Sequence, residues 1–271
     1  MYSSLSLIKN SRRSGKLIGT HQKLDKIARR LFVKSAPKKT KFPSEQDILY
    51  FEGSRGPDGL KRKSPGIDEP WNTIDPDKND RKLTQVILDH QHNLRVALKN
   101  QDTIRAAFEA AWLAHAVTDG LTPAHHFPFD AIIDELMTDM DYKKVFGAEI
   151  KGIMRGRNLA EATRNNWLYW GAGGIMSKHI AFELGIAYVI TALPMKLLTP
   201  KFPKVDPATI NLEKEFNKSL KKIAALDMYG RFLKEGWTTQ LALESRSILA
   251  PEIVRLITLA WLSGLHWESI E

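Results

Sequence analysis

The run Trp112-Leu113-Ala114-His115-Ala116-Val117-Thr118-Asp119, followed after Gly120-Leu121 by Thr122-Pro123-Ala124-His125-His126, carries both fold and chemistry. Residues 103–119 are Ala-rich with helical periodicity, and Gly120 is the expected stop. On such a helix His115 and Asp119, four apart, stack on one face, where imidazole and carboxylate can reach one ion. Thr122-Pro123 reverses the chain and returns a second imidazole, His125, six residues after Asp119. His126 points elsewhere, because adjacent residues on a turn diverge.

Outward from this run, the same period recurs over 81–100, with Leu83, Val86, Ile87, His90, Leu94 and Ala97 on one face, and over 17–31, where Thr20 is a candidate N-cap and His21 falls on the apolar stripe. Further helices are expected over 129–140, behind a Ser177 cap, over 212–235, and over 251–267, with 147–157 uncertain. Residues 35–80 are dense in Pro, Gly, Asp and Lys, so no long helix fits there, although Tyr50, Phe51 and Trp71 argue for order. No run alternates with period two for long enough to make a sheet. The expected fold is all-α, a single multi-helix domain over 17–271 behind a basic flexible leader at 1–16.

The chain has 271 residues, 43% of them hydrophobic and 26% charged, an ordinary globular balance. The most apolar stretch, 180–198, is interrupted by Glu183, Pro194 and Lys196 and reads as a buried helix, so no transmembrane segment is expected. Nothing at the start reads as a secretory leader, which favours a cytoplasmic location. The absence of cysteine excludes disulfides and thiolate ligands, leaving imidazole and carboxylate for any metal. Net charge is +9, and residues 1–43 hold twelve Lys and Arg against Asp25 alone. The basicity therefore belongs to an amino-terminal arm that could meet an anionic membrane surface or nucleic acid, or remain solvated.

His179 and Glu183 repeat the four-residue spacing on another helix, so two helices each offer an imidazole and a carboxylate of the type borderline metals accept. The competing reading is a set of buried, hydrogen-bonded histidines. Gly19-Thr20-His21, Gly56-Pro57-Asp58, Asn72-Thr73-Ile74-Asp75-Pro76-Asp77, His115-x3-Asp119-x5-His125 and His179-x3-Glu183 together resemble the zinc-dependent phospholipase C family, which shares an all-helical fold and three clustered zinc ions with fungal single-strand nucleases. The resemblance implies a phosphoric diester hydrolase of that fold, with a metal cluster of one to three zinc ions between its helices. It implies metal ligands at His21, Asp58, His115, Asp119, His125, His179 and Glu183, with Asp58 as general base and Asp119 bridging two ions. Phospholipid headgroups are the favoured substrate, with single-stranded nucleic acid, or a catalytically degraded metal-stabilised binding protein, as alternatives.

Two positions depart from the family pattern. The imidazole expected ahead of the Asp75-Pro76-Asp77 segment is Asn72 here, a weak donor for zinc, and the family's free amino-terminal ligands next to the His21 position are replaced by a chain that continues back to Met1. His125, His179 and Glu183 are then the one set whose side-chain ligands are all present. His90 could supply an imidazole in place of Asn72, against a simpler role as a hydrogen-bonded core residue. Trp167 and Trp170 could border the site and stack on a headgroup or base, but core packing is the reading that composition favours.

Overall fold

Apolar periodicity and local capping account for the helices one by one in a computed structural model that describes residues 19–53, 56–57, 72–78, 81–127 and 156–266. The leader at 1–16, Asp58, Trp71, Trp267, the helix expected over 129–140 and most of the 147–157 segment lie outside the described residues. Among the described residues every regular element is helical. They are α1 (Thr20–Ser35), α2 (Glu45–Glu52), α3 (Lys82–Lys99), α4 (Thr103–Leu121), α5 (Leu159–Trp170), α6 (Ile175–Ala192), the short α7 (Met195–Leu198), α8 (Leu212–Ala224), α9 (Met228–Glu235), α10 (Thr239–Glu244) and α11 (Ala250–Ser263). A 3-10 turn, Pro123–His126, follows α4, and a π-turn, Ser245–Leu249, joins α10 to α11.

Side-chain caps set several starts. Ser44, Asp102, Asn158, Asn211 and Thr238 each accept a hydrogen bond from a backbone N–H three residues on, satisfying a donor the first turn leaves open. Some boundaries differ from the expected ones. Gly19, not Thr20, is the N-cap of α1, and Gln22 supplies the N3 half of a capping box by accepting from the Gly19 N–H at 3.2 Å. Helix α6 begins two residues before Ser177, the expected cap: its N-cap is Gly174, while the Ser177 hydroxyl donates to the Trp170 carbonyl at 2.8 Å. A Cβ at Gly174 would stand 2.6 Å from the Tyr169 carbonyl oxygen, which only glycine avoids. The helix expected over 212–235 is two, broken where Asp227 takes a positive φ of 44°.

Helix α4 is the axis of the fold. Ala106, Ala107, Ala110, Ala111 and Ala114 are all essentially buried, and their small side chains let α1, α2, α3, α8 and α11 close in around one helix. Gly120 does not end α4 as expected. It lies inside the helix where Phe216 of α8 and Leu83 of α3 press in, and a Cβ there would stand 2.8 and 2.9 Å from their ring and methyl carbons. Trp261 of α11, fully buried, fills the gap beside the alanines and donates its indole N–H to the Ala110 carbonyl at 2.8 Å.

A second close approach ties α6 to the loop after α9. Trp237 stacks on Phe182 at 5.5 Å, donates to the Ala181 carbonyl and lies flat over Gly185, where a Cβ would fall 1.8 Å from the indole. Gly185→Ala should therefore displace Trp237 and lower stability by about 1–3 kcal/mol, read as a lower denaturant midpoint with an unchanged m value.

Candidate metal centre

Five elements deliver the polar cluster. His21 comes from the first turn of α1, Glu52 from the last residue of α2, His115 and Asp119 from the last two turns of α4, His125 from the 3-10 turn, and His179 and Glu183 from α6. All are buried except His179, whose side chain is 14% exposed and forms the open edge of the site. The structure thus brings together six of the seven expected metal ligands: His21, His115, Asp119, His125, His179 and Glu183. Asp58 is the seventh, outside the described residues.

Asp119 is the hub. Its carboxylate oxygens lie 3.4 Å from His21 Nε2, 3.2 Å from His115 Nε2 and 3.9 Å from His125 Nε2. Glu183 holds the other end, with Oε1 at 3.0 Å from His125 Nε2 and 3.2 Å from His179 Nε2. The opposite ring nitrogens turn outward. Nδ1 of His21 and of His115 face Glu52 Oε1 at 3.4 and 3.0 Å, and His125 Nδ1 lies 2.7 Å from the Asn72 carbonyl oxygen. A carbonyl can only accept, so His125 Nδ1 carries a proton and donates it there, and Nε2 is the ring nitrogen turned toward the carboxylates of the cluster. The His21 and His115 rings stack at 4.4 Å, which sets their two Nε2 atoms side by side.

Two residues here were missed by sequence reasoning. Glu52 sits in the Pro- and Gly-rich stretch where no long helix fits; α2 is a short helix whose Ser44 cap and Ile48 core contact aim its terminal carboxylate inward. Asp25 is buried four residues after His21, the third instance of the spacing already noted at His115 and His179, and that repetition was the available signal. Asn72, expected to stand where the family has an imidazole, accepts the His125 Nδ1–H on its backbone carbonyl. His126 turns away as expected and donates from Nε2 to the Gly120 carbonyl at 2.9 Å; burial pushes its pKa down to about 4. His90 pairs with Glu109 at 2.6 Å and supplies no imidazole to the cluster. Trp167 and Trp170 are exposed, not packed in the core, at 69% and 41%.

The protonation pattern follows from charge crowding. Burial opposes the charged form of His115, but the carboxylates of Asp119 and Glu52 outweigh it and hold that imidazolium well above its usual range. Burial, then the charge of Glu52, pushes the Asp25 carboxyl well up. Burial likewise opposes the charged form of Asp119, yet its carboxyl is held low, with His115 and His125 among the charges that favour the anion. No family model, curated protein or solved structure matches this chain.

Metal-free protein should lose stability as pH rises above about 6.5, because folded His115 gives up a proton that its site favours while the unfolded chain has already lost it. His126 and His179, both lowered chiefly by burial, act oppositely and only below about pH 6.5. Excess zinc should reverse the high-pH loss, since deprotonated ligands bind it best. Denaturant midpoints across this range, with and without zinc, check the sign; a midpoint that climbs with pH in metal-free protein contradicts it.

Proposed function

We propose that the protein is a zinc-dependent phosphoric diester hydrolase of the phospholipase C and nuclease type, holding ions at two neighbouring positions that share Asp119. The observation that carries the metal reading is the common orientation of three imidazoles: Nε2 inward to a carboxylate, Nδ1 outward to Glu52 or the Asn72 carbonyl. Metal-ligating histidines are oriented in this way by outer acceptors. The donor set is nitrogen and oxygen only, which suits zinc in imidazole and carboxylate sites. The first position would use His21, His115 and Asp119; the second, His125, His179, Glu183 and the other reach of Asp119.

His21, Glu52 and His115 also have donor atoms within 4.8 Å of one another, as do His125, His179 and Glu183. An ion on the Glu52 side would engage the Nδ1 atoms and leave Asp119 to face two protonated Nε2 atoms. Because each neutral imidazole offers one lone pair, the two placements exclude each other. The Asp119 side is favoured because it draws on the same ring nitrogen in every histidine and lets one carboxylate serve both positions. Glu52 is then the acceptor that orients two rings.

Bound zinc supplies Lewis acidity toward phosphoryl oxygens and an acidified water. The chain's part is to fix the two positions through Asp119, hold the imidazole tautomers through Glu52 and the Asn72 carbonyl, and keep bulk water from the buried ligands. By the resemblance, Asp58 takes the proton from the attacking water. Nucleic acid stands as the alternative substrate on the strength of the basic arm.

Metal analysis and a chromogenic phosphodiester test this together. Wild type grown with ample metal should carry about two zinc ions per chain, and His179→Ala and Asp119→Asn about one each, the latter because His125, His179 and Glu183 remain. Glu52→Gln should keep the ions but weaken affinity about 10–100-fold, as expected for an orienting residue. Wild type below roughly 0.3 zinc per chain overturns the metal reading. Full zinc with no diester hydrolysis leaves a metal-stabilised binding protein.

A further inference from the structure

Helices α5 and α6 form a hairpin about the turn at 171–174, closed by the Ser177 to Trp170 hydrogen bond. The inner face of α6 is core: Phe182, Ile186 and Ile190 are fully buried, and Glu183 enters the metal cluster. The outer face is apolar and open. Ala181, Leu184, Tyr188 and Ala192 recur along α6 at helical spacing, and Leu159, Thr163, Trp167 and Trp170 do so along α5, all exposed. Leu159, Trp167 and Tyr188 are 83%, 69% and 76% exposed, well beyond the scattered leucine that any surface shows.

Charge narrows what such a face fits. Between Leu159 and Ala192 the only Asp or Glu residues are Glu161 and Glu183; Glu161 is paired with Arg157 at 3.2 Å, and Glu183 is buried. Arg164 is exposed and Lys178 partly so, leaving the hairpin positive where it is not apolar. Composition and length make 159–192 apolar enough to qualify as a membrane-crossing stretch, but the 171–174 turn and the inward Glu183 leave it only one outer face to offer lipid. Exposed tryptophan and tyrosine among leucines, with basic residues and no unpaired carboxylate, match the headgroup zone of an anionic bilayer.

We propose that this outer face docks the protein onto an anionic phospholipid surface. His179 shares the inner face of α6 with Glu183, across the helix from Leu184 and Tyr188, so the docking face is distinct from the metal centre and does not rest on the hydrolase reading.

The test uses the full-length zinc-loaded protein and sedimentation with phosphatidylcholine vesicles containing about 30% phosphatidylglycerol. Wild type should co-sediment, and Trp167→Ser with Tyr188→Ser, two surface changes that should leave the fold and zinc content intact, should lower the partition coefficient at least about tenfold. The part lost should persist at roughly 0.5 M salt, which screens any contribution of the basic arm. No binding by wild type, or equal binding by the double variant, overturns the proposal. So does self-association of wild type that the double variant abolishes, which would make the face an interface between copies of the chain. Zinc content is measured separately, so loss of the hydrolase reading and loss of docking give different results.

Discussion

A buried carboxylate among imidazoles is the constraint on which this structure turns. Asp119 is 2% exposed, and an ion taken that far from water costs several kcal/mol unless partners replace its hydration. Three imidazoles from three separate elements do so, which means α1, the end of α4 and the 3-10 turn must meet at one point. The neighbouring Glu52 and Glu183 extend the requirement to α2 and α6. An uncompensated member of such a group is far more costly than an apolar replacement, so the cluster constrains the helices as strongly as the core does.

The scaffold meets this demand with small residues and closed polar ends. Alanines on α4 allow close helix packing, and Trp261 fills what they leave open. Thr118 and Thr122 return their hydroxyls to carbonyls one turn back at 2.8 Å, keeping the chain tight as α4 passes into the turn that presents His125. Lys23 caps the far end of α6 by donating to the Thr191 carbonyl at 2.9 Å and to that of Leu193, so the helix bearing His179 and Glu183 is tied to the helix bearing His21. Among the described residues His179 is the one partly exposed member of the cluster.

Much of the candidate site could be read along the chain because its ligands come in helical pairs. His115 with Asp119 and His179 with Glu183 each declare themselves by spacing, and the same rule extended to His21 would have reached Asp25. Glu52 could not be reached that way. It has no partner on its own helix, and it matters only because α2 packs on α4. Trp167 and Trp170 illustrate the reverse error: aromatic residues near a helix end read as core, yet their helix packs through Asn165 and Tyr169 and turns the indoles outward.

Local sequence determined the helices, their approximate limits and the i,i+4 pairs, because period, caps and breakers act within a few residues. Tertiary structure alone decided which carboxylate faces which ring nitrogen. His115 and Glu52 are 63 residues apart, and His125 and Glu183 are 58 apart. Across such separations no periodicity operates; helix crossing and rotation set the contact, and both depend on how the alanine-lined faces of α4 are filled.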